Sequence, residues 1–297
     1  MTGVLDAHVH FWDPRKLRYP WLDGIAALNR PFTPGDFPGR LRSDVIVVEA
    51  GRAPADAAGE IGWLREEARR RSWIRGMVAH VDVESPAATN RFLAGYGGDP
   101  FVVGVRRNVQ DEAPGFLRDR GFRAGVRLLG EAGLPFDACV RAHQVPELTE
   151  LAAACPRTTI VLDHLGKPTP GGPGYERWRR DLRRLARHAT VLCKLSGLAT
   201  EATPGTARPV VVDAVREALD TFGPSRCLYG SDWPVLTLAT DHGAWRDLIG
   251  DALATHPAAA AEAVFHHNAA RTYQVPGPGA RKDLDPRVVR HPPHPRG

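Results

Sequence analysis

Apolar and polar positions along the chain fall into short apolar runs that alternate with longer amphipathic segments. Eight apolar runs have the length and the aliphatic content of buried strands: 4–10, 44–49, 74–83, 101–106, 136–140, 158–163, 191–195 and 227–231. Helical periodicity predicts helices over 55–71, 86–95, 122–130, 145–155, 175–188, 209–222, 242–255 and 257–273. In the first of these helices, Ile61, Leu64 and Ala68 are spaced by three and four residues and therefore share one face.

Strands that alternate with helices are typical of a parallel α/β sheet, and eight of them favour a closed (β/α)8 TIM barrel over an open sheet. No Gly-x-Gly-x-x-Gly turn follows the first strand, which argues against a dinucleotide-binding fold. One barrel domain is therefore predicted for residues 1–274. Its long loop at 12–39 is expected to be functional. Residues 275–297 are rich in Pro, Gly, Arg and His, and we predict a disordered tail there.

The composition is that of one large domain and disfavours a nucleic-acid partner. The chain has 297 residues, of which 43% are hydrophobic, which is enough for a substantial core. Its net charge of +5 and pI of about 9.3 come from scattered arginines. The arginine clusters at 65–71 and 177–187 are mixed with acids, so they indicate solvated helix faces. We expect a small-molecule substrate and no nucleic-acid partner. The sequence is compatible with a homo-oligomer.

The four cysteines, Cys139, Cys155, Cys193 and Cys227, form no close pair of the zinc or redox type. Three of them lie in apolar strand-like runs, which predicts buried free thiols and a reducing compartment. The N-terminus lacks a charged region followed by a long apolar run, and no stretch approaches 18 consecutive apolar residues. A cytoplasmic protein without a membrane partner is expected.

The first strand ends in two histidines, His8 and His10, one residue apart. Side chains alternate faces along a strand, so both imidazoles point the same way and suit a divalent metal or the polarisation of a carbonyl. A chance pair is the alternative, because the chain has 12 histidines. The eighth strand ends in Asp232, for which a helix N-cap is the alternative, and Pro234 stops further pairing there. If these strand ends are neighbours, two imidazoles and a carboxylate share one site.

In a barrel of this kind the chemistry lies at the carboxyl ends of the strands. Nearly every predicted strand ends in a chemically able polar group. These groups are, in chain order, His8, His10, Glu49, Arg106, Arg141, His143, His164, Lys167, Lys194, Ser196 and Asp232. Random surface loops would not place such groups so regularly.

Several of these residues are candidates for binding the substrate. Arg106 can clamp a substrate oxygen or carboxylate, the alternative being an ion pair with Asp111 or Glu112. His143 can contact substrate hydroxyls or simply anchor its loop. Lys194 lies inside a strand and points either into the barrel mouth or into an ion pair.

Three tryptophans, Trp12, Trp21 and Trp233, are candidates for lining the pocket by stacking on a ring of the substrate, with plain packing as the alternative. By strand alternation, Asp163 is expected on the face opposite to His164. No Gly-x-Ser-x-Gly sequence is present, so Ser231 beside the strand-eight acid does not resemble a nucleophile elbow.

Seven stretches together resemble a group of the amidohydrolase superfamily that includes fuconolactonase- and rhamnonolactonase-like sugar lactonases and the pyrone-dicarboxylate lactonases. The matching stretches are Asp-Ala-His-Val-His-Phe-Trp at 6–12, Gly-Val-Arg-Arg-Asn-Val-Gln-Asp at 104–111, Leu-Asp-His-Leu-Gly-Lys-Pro at 162–168, Cys-Lys-Leu-Ser-Gly-Leu at 193–198, Phe-Gly-Pro-Ser-Arg at 222–226, Tyr-Gly-Ser-Asp-Trp-Pro-Val at 229–235 and Asn-Ala-Ala-Arg-Thr-Tyr at 268–273. The resemblance runs from about residue 3 to residue 274. Motifs in this number and order are far more specific than any one alone.

The resemblance implies a distorted TIM barrel in which His8, His10, His164 and Asp232 match the family's functional histidines and aspartate. These four residues would hold one divalent metal, with zinc as the first candidate, or would act without a metal. A lysine suited to bridging two metals is not evident. The chain departs from the family pattern at Glu49, where Gln is frequent, and at 106–107, where Arg-His is frequent. Both departures bear on the substrate pocket.

The leading hypothesis is a hydrolase that opens a small carbohydrate-derived lactone, an enzyme acting on a carboxylic ester. Asp232 would accept the proton of the attacking water. His8, His10 and His164, or a metal that they hold, would polarise the carbonyl. The alternatives are a metal-dependent decarboxylase of a small unsaturated acid, in which Arg106 grips a carboxylate, and a non-catalytic barrel that binds sugar acids.

Overall fold

The computed structural model describes residues 3–275, and these residues form one eight-stranded parallel barrel. The strands are β1 Val4–Val9, β2 Ser43–Val48, β3 Ile74–His80, β4 Val102–Asn108, β5 Phe136–Cys139, β6 Ile160–Leu162, β7 Val191–Leu195 and β8 Cys227–Tyr229. They are paired in chain order, and every pair is parallel. The predicted (β/α)8 barrel is confirmed.

Helices cover the outside of the barrel. They are α1 Ala57–Arg70, α2 Pro86–Tyr96, α3 Arg120–Glu131, α4 Val145–Ala154, α5 Tyr175–Leu185, α6 Leu198–Glu201, α7 Arg208–Phe222, α8 His242–Leu253, α9 Ala258–Glu262 and α10 Asn268–Thr272. A π-helical turn, Ala263–His267, joins the last two. The single helix expected over 257–273 is therefore divided. In α1, Ile61, Leu64 and Ala68 are buried, as their spacing predicts.

The strands bury apolar side chains on both faces, which explains their nearly continuous runs of Val, Ile and Leu. Side chains such as Val47, Met77 and Val105 pack outward against the helices in the larger core. The alternate positions, among them Ile46 and Val78, form a smaller core inside the barrel. Because apolar side chains fill the barrel interior, the polar residues at the strand ends are grouped at its mouth.

The barrel closes through the chain that follows β8. The backbone N–H of Asp232 donates to the carbonyl of His8 at 2.8 Å, and the N–H of His10 donates to the carbonyl of Trp233 at 2.7 Å. The buried carboxylate of Asp6 accepts the N–H of Ser231 at 2.8 Å. These bonds join the first strand to the last at their carboxyl ends, where the site residues lie.

The end of the described chain plugs the opposite, amino-terminal end of the barrel. Ala269, Tyr273 and Val275 pack on the interior core, and Val275 is only 8% exposed. Val275, the first residue of the predicted tail, is thus part of the packed structure, and the rest of that prediction, 276–297, lies outside the described residues.

The long connection between β1 and β2 folds over the mouth of the barrel. It contains two short 3₁₀ turns, Pro20–Gly24 and Pro34–Asp36. Trp12 and Leu28 are fully buried in it, and the indole N–H of Trp12 donates to the carbonyl of Leu28 at 3.1 Å. This loop is thus a packed cover with its own apolar anchors.

The four cysteines are buried and unpaired, as predicted. Among residues 3–275, the structure contains no helix that combines the length and the apolar character needed to cross a bilayer.

Helix α3 lies so close to the chain after β3 that only glycine fits at position 125. A Cβ on Gly125 would lie 2.0 Å from the carbonyl oxygen of Val83. We expect Gly125→Ala to destabilise the protein by about 1–3 kcal/mol, because backbone must move to relieve the clash. Gly62→Ala is the matched control: that glycine lies in α1 with nothing within 4 Å of a Cβ, and the change should stabilise by about 0.5–1 kcal/mol. Denaturant unfolding measures both, and equal effects would contradict this account.

Candidate active site

The two histidines of the first strand lie side by side, as alternation predicts. His8 and His10 are 0% and 5% exposed, and their Nε2 atoms are 3.1 Å apart. His10 Nδ1 donates to the carbonyl of Val48 at 2.9 Å, which leaves its Nε2 with a free lone pair. His8 Nδ1 lies 3.3 Å from an oxygen of Asp163. Burial first, and then the charge of Lys194, lower the pKa of His8 well below its ordinary value.

The acid after β8 completes this group. Asp232 Oδ1 lies 3.4 Å from Nε2 of His10 and 3.7 Å from Nε2 of His8. The residue has a φ of 61°, a left-handed conformation that turns the chain as it leaves the strand. Burial would raise the pKa of Asp232, but His164 and the bond with His10 outweigh it and lower the pKa below its ordinary value. Asp232 is therefore a carboxylate at neutral pH.

His164 approaches the same group from β6. Its ring centroid lies 4.5 Å from that of His8, and its Nδ1 is 2.9 Å from Oγ of Ser196. Burial is the main cause that lowers its pKa well below the ordinary value. A Cβ at Gly197 would meet Nδ1 of His164 at 2.4 Å, and Gly197 also has a φ of 63°, so only glycine fits beneath the ring.

The expectation that Asp163 faces away from His164 is wrong. Asp163, His164 and His8 bring ligand atoms within 4.8 Å of one another. The β6 strand ends at Leu162, and His164 has left-handed dihedrals of φ 54° and ψ 36°. Alternation along an extended strand no longer applies to these two residues, so both can turn inward.

Lys194 forms an ion pair and does not point into the barrel mouth, which was the other alternative for it. It is 0% exposed, and its Nζ donates to Asp137 and lies 3.2 Å from Oδ1 of Asp163. The hydroxyl of Tyr273, on the plug at the barrel base, donates to the same Asp137 at 2.9 Å. Burial opposes the charge of Lys194, but Asp137 and Asp163 outweigh it and raise its pKa above the ordinary value. The ammonium lies beneath the site.

The ion pair considered for Arg106 with Asp111 or Glu112 is wrong, because its partner is Glu49. Arg106 Nε donates to Oε1 of Glu49 at 2.8 Å, and Nη2 donates to the carbonyl of Glu49 at 2.7 Å. Alternation turns the next residue, Arg107, to the other face, where it binds Glu112 at 2.7 Å. Burial would raise the pKa of Glu49, but Arg106 outweighs it and lowers the pKa to about 2.

A second buried acid, Glu60 of α1, supports this pair. Its Oε1 accepts the N–H of Ala50, the residue after Glu49, at 2.9 Å. Burial first, and then the negative charge of Glu49, raise the pKa of Glu60 to about 8. Glu60 is therefore protonated at neutral pH, unlike its neighbour.

The remaining predicted contacts line the rim of the mouth. His143 is exposed in a cavity of about 340 Å³ that also includes Lys167 and Glu201. Trp21 is half-buried and its indole N–H donates to the carbonyl of Ala50 at 2.7 Å. Trp233 is 4% exposed and packs on Phe11, Phe32 and Phe37, with ring centroids 5.5–5.8 Å apart. These contacts favour plain packing for Trp233.

The donor set at the mouth fits a divalent cation. Nε2 of His8, Nε2 of His10 and Oδ1 of Asp232 are 3.1–3.7 Å apart, and two nitrogens on a tetrahedral zinc lie roughly 3.3 Å apart. Two nitrogen lone pairs and a carboxylate oxygen that converge in a buried place repel one another unless a cation or a proton lies between them. His8, Asp163 and His164 form a second group of suitable size.

Sequence reasoning missed Asp137, Asp163, Glu60 and Tyr273 as parts of this centre. Asp137 carried a usable signal, because an acid within the apolar run 136–140 must find a buried partner. The alternation argument misplaced Asp163. Glu60 lies in α1 and Tyr273 directly follows α10, and no sequence spacing shows which barrel residues they reach.

The fold and this centre together define a barrel enzyme with buried imidazoles and carboxylates at its C-terminal mouth. The chain belongs to the amidohydrolase family, whose model matches residues 5–275. The resemblance found in the sequence is thereby confirmed.

Individual relatives cover most of the chain. An L-fucono-1,5-lactonase of Burkholderia ambifaria is 36% identical over 82% of this chain and 86% of its own length. One of Burkholderia multivorans is 32% identical over 92% and 97%. A crystal structure of an amidohydrolase from Burkholderia multivorans with bound zinc is 32% identical, covers 93% of this chain and 100% of its own, and has a TM-score of 0.82.

The raised pKa of Glu60 predicts a pH dependence of stability. In the folded protein the pKa of Glu60 is about 8, which exceeds the ordinary 4.5. The contribution of protonated Glu60 to the free energy of unfolding is therefore complete below pH 4.5 and is lost as the pH rises through 8. We expect Glu60→Gln to become more stable relative to wild type by up to about 1.4 kcal/mol per pH unit across that window. Urea unfolding at pH 5, 7 and 8.5 measures the difference. Glu66→Gln, at a partly exposed acid of the same helix, is the matched control, and a pH-dependent difference as large as that of Glu60→Gln would contradict this account.

Proposed function

We propose that this protein is a lactonase that hydrolyses small, neutral sugar-acid lactones by direct attack of water. The observation that carries the proposal is the meeting of Asp232 with His8 and His10 within 3.7 Å, in a chain similar to two L-fucono-1,5-lactonases. The barrel supplies the scaffold, and the three side chains supply a base and groups able to polarise a carbonyl.

Asp232 is the general base in this mechanism. Its carboxylate lies among imidazoles at the mouth of the barrel, where a water placed over the lactone carbonyl can give up a proton to it. A positioned base contributes roughly 10²–10⁴ in rate. As the new C–O bond forms, the bond to the ring oxygen breaks, and the proton held by Asp232 passes to that oxygen.

His8, His10, His164 and Asp232 are the residues that would hold a divalent ion, with zinc as the first candidate. Such an ion would supply Lewis-acid polarisation of the carbonyl and would lower the pKa of the attacking water. In a reaction without an ion, His164, fixed by Ser196, faces the same space and can donate a hydrogen bond to the carbonyl oxygen as negative charge develops there.

The charge of the binding pocket supports a neutral substrate. Arg106 is the candidate clamp for a substrate oxygen, yet the Glu49 carboxylate already pairs with its guanidinium, and the Glu49 backbone carbonyl accepts a second bond from it. A dicarboxylate would meet the extra negative charge of Glu49, whereas the hydroxyls of a sugar lactone can bond with both residues. Three more residues, His143, Lys194 and Trp233, are candidates for contacts with the substrate. His143 remains a candidate at the outer rim, while Lys194 would act only from beneath the site.

The cellular setting also remains part of the proposal. Four buried, unpaired thiols support a reducing, cytoplasmic location. The mixed charge along the outer helices supports a small-molecule substrate in preference to nucleic acid.

Purified protein should release acid from neutral sugar-acid lactones in a pH-indicator assay. L-Fucono-1,5-lactone and its stereoisomers are the first substrates to test, with pyrone dicarboxylate as the anionic comparison. The kcat/KM for neutral lactones should be at least about tenfold higher than that for the dicarboxylate, which corresponds to a free-energy difference of about 1.4 kcal/mol. A parallel series after chelation separates metal-assisted from metal-free hydrolysis.

Either of two results would contradict the proposal. One is no hydrolysis of any lactone above the spontaneous rate with zinc added. The other is release of CO2 from an unsaturated acid without lactone opening, which would favour a decarboxylase.

Asp232→Asn should lower kcat by at least about 10² while the protein stays folded, because the amide cannot accept the proton of water. We expect a large decrease in kcat and a smaller change in KM. Asp213→Asn, an exposed acid on α7, is the matched control and should keep full activity. Near-normal turnover in Asp232→Asn would exclude it as the base.

A further inference from the structure

Two possible cation positions lie next to each other in this barrel and share one residue. The outer group is His8, His10 and Asp232, and the inner group is His8, Asp163 and His164. The outer group uses Nε2 of His8, whereas Asp163 approaches the Nδ1 edge of the same ring at 3.3 Å. The arrangement alone would suit two ions on opposite edges of one imidazole.

The ammonium of Lys194 already lies at the inner edge. Its Nζ is 3.2 Å from Nδ1 of His8 and 3.2 Å from Oδ1 of Asp163. Asp137 binds the same Nζ from below and is itself held by Tyr273. Lys194 is completely buried, so its charge cannot swing out to solvent.

We propose that the Lys194 ammonium occupies the inner cation position, so that the centre takes a single divalent ion, on the outer group. The part of this inference that concerns the outer ion depends on the proposed function. The part that concerns the inner position depends only on the contacts of Lys194.

Electrostatics explains why both cations cannot share the inner group. A positive charge at 3.2 Å from an oxygen of Asp163 neutralises the carboxylate that a divalent ion would need. Within residues 3–275, neither oxygen of Asp163 makes a well-aligned hydrogen bond, so its partners there are chiefly the charges of Lys194 and, at 3.8 Å, Arg106. A divalent ion would have to displace a buried lysine from Asp163, which is one of its two acid partners.

The same lysine also prepares the outer group. By holding Asp163 in place, it keeps a carboxylate oxygen against Nδ1 of His8. Asp163 and Lys194 together hold the Nδ1 edge of the His8 ring, which keeps Nε2 directed toward His10 and Asp232. Lys194 is thus a positioning residue for the outer group.

Zinc stoichiometry tests the proposal without using activity. Zinc bound after equilibrium dialysis is counted by elemental analysis, and the count for His8→Ala is subtracted, because that variant breaks both groups and keeps all surface sites. We expect one ion or fewer at the centre of wild type, even at millimolar zinc. Lys194→Ala should bind one ion more than wild type, and adding Asp163→Asn should remove that ion.

Lys194→Arg is the matched control, because arginine keeps a positive charge at this position; it should gain no ion. If Lys194→Ala does not fold, Lys194→Ala/Asp137→Asn removes one of the two acids left unpaired and should still gain an ion. A wild-type centre that binds two zinc ions would overturn the proposal, and so would a folded alanine variant that gains none. If wild type binds none while Lys194→Ala binds one, the outer metal site fails and the inference stands.

Discussion

Two backbone hydrogen bonds, one from Asp232 to His8 and one from His10 to Trp233, govern the organisation of this molecule. They close the barrel at its mouth, where β8 is too short to pair with β1 along its length. The same bonds fix the distance between the Asp232 carboxylate and the imidazoles. Closure of the barrel and assembly of the candidate site are therefore one event, so a change that opens the barrel end also separates the site residues.

Beneath that closure the barrel buries charges in a connected series. Lys194 joins Asp137 to Asp163, and Arg106 joins Asp163 to Glu49. Buried charges are costly when a partner is missing, so each holds the next in one conformation. The series extends from Tyr273 at the base of the barrel to His8 at the mouth. The helix that plugs the bottom thereby contributes to the geometry of the site.

Sequence reasoning succeeded where one local rule decides the outcome. Strand alternation placed His8 and His10 on one face, and the number of apolar runs indicated the barrel. It failed where a strand had already ended, as at Asp163, because left-handed dihedrals at His164 replace the alternation. It also failed for the partner of Arg106, since Glu112, which follows β4, pairs instead with Arg107 on the other face of that strand. Contacts between separate strand ends depend on the shape of the closed barrel.

The sequence by itself determined the eight strands, the outward helices, and the placing of imidazole, carboxylate and guanidinium groups at strand ends, because periodicity and strand punctuation are local properties. Only the tertiary structure decided which of those groups meet, which are sealed beneath the site, and that Lys194 and Glu49 are bound to buried charges. The reason is that a charge inside a protein takes the partner that the folded backbone brings within reach, and residues far apart in the chain supply that partner.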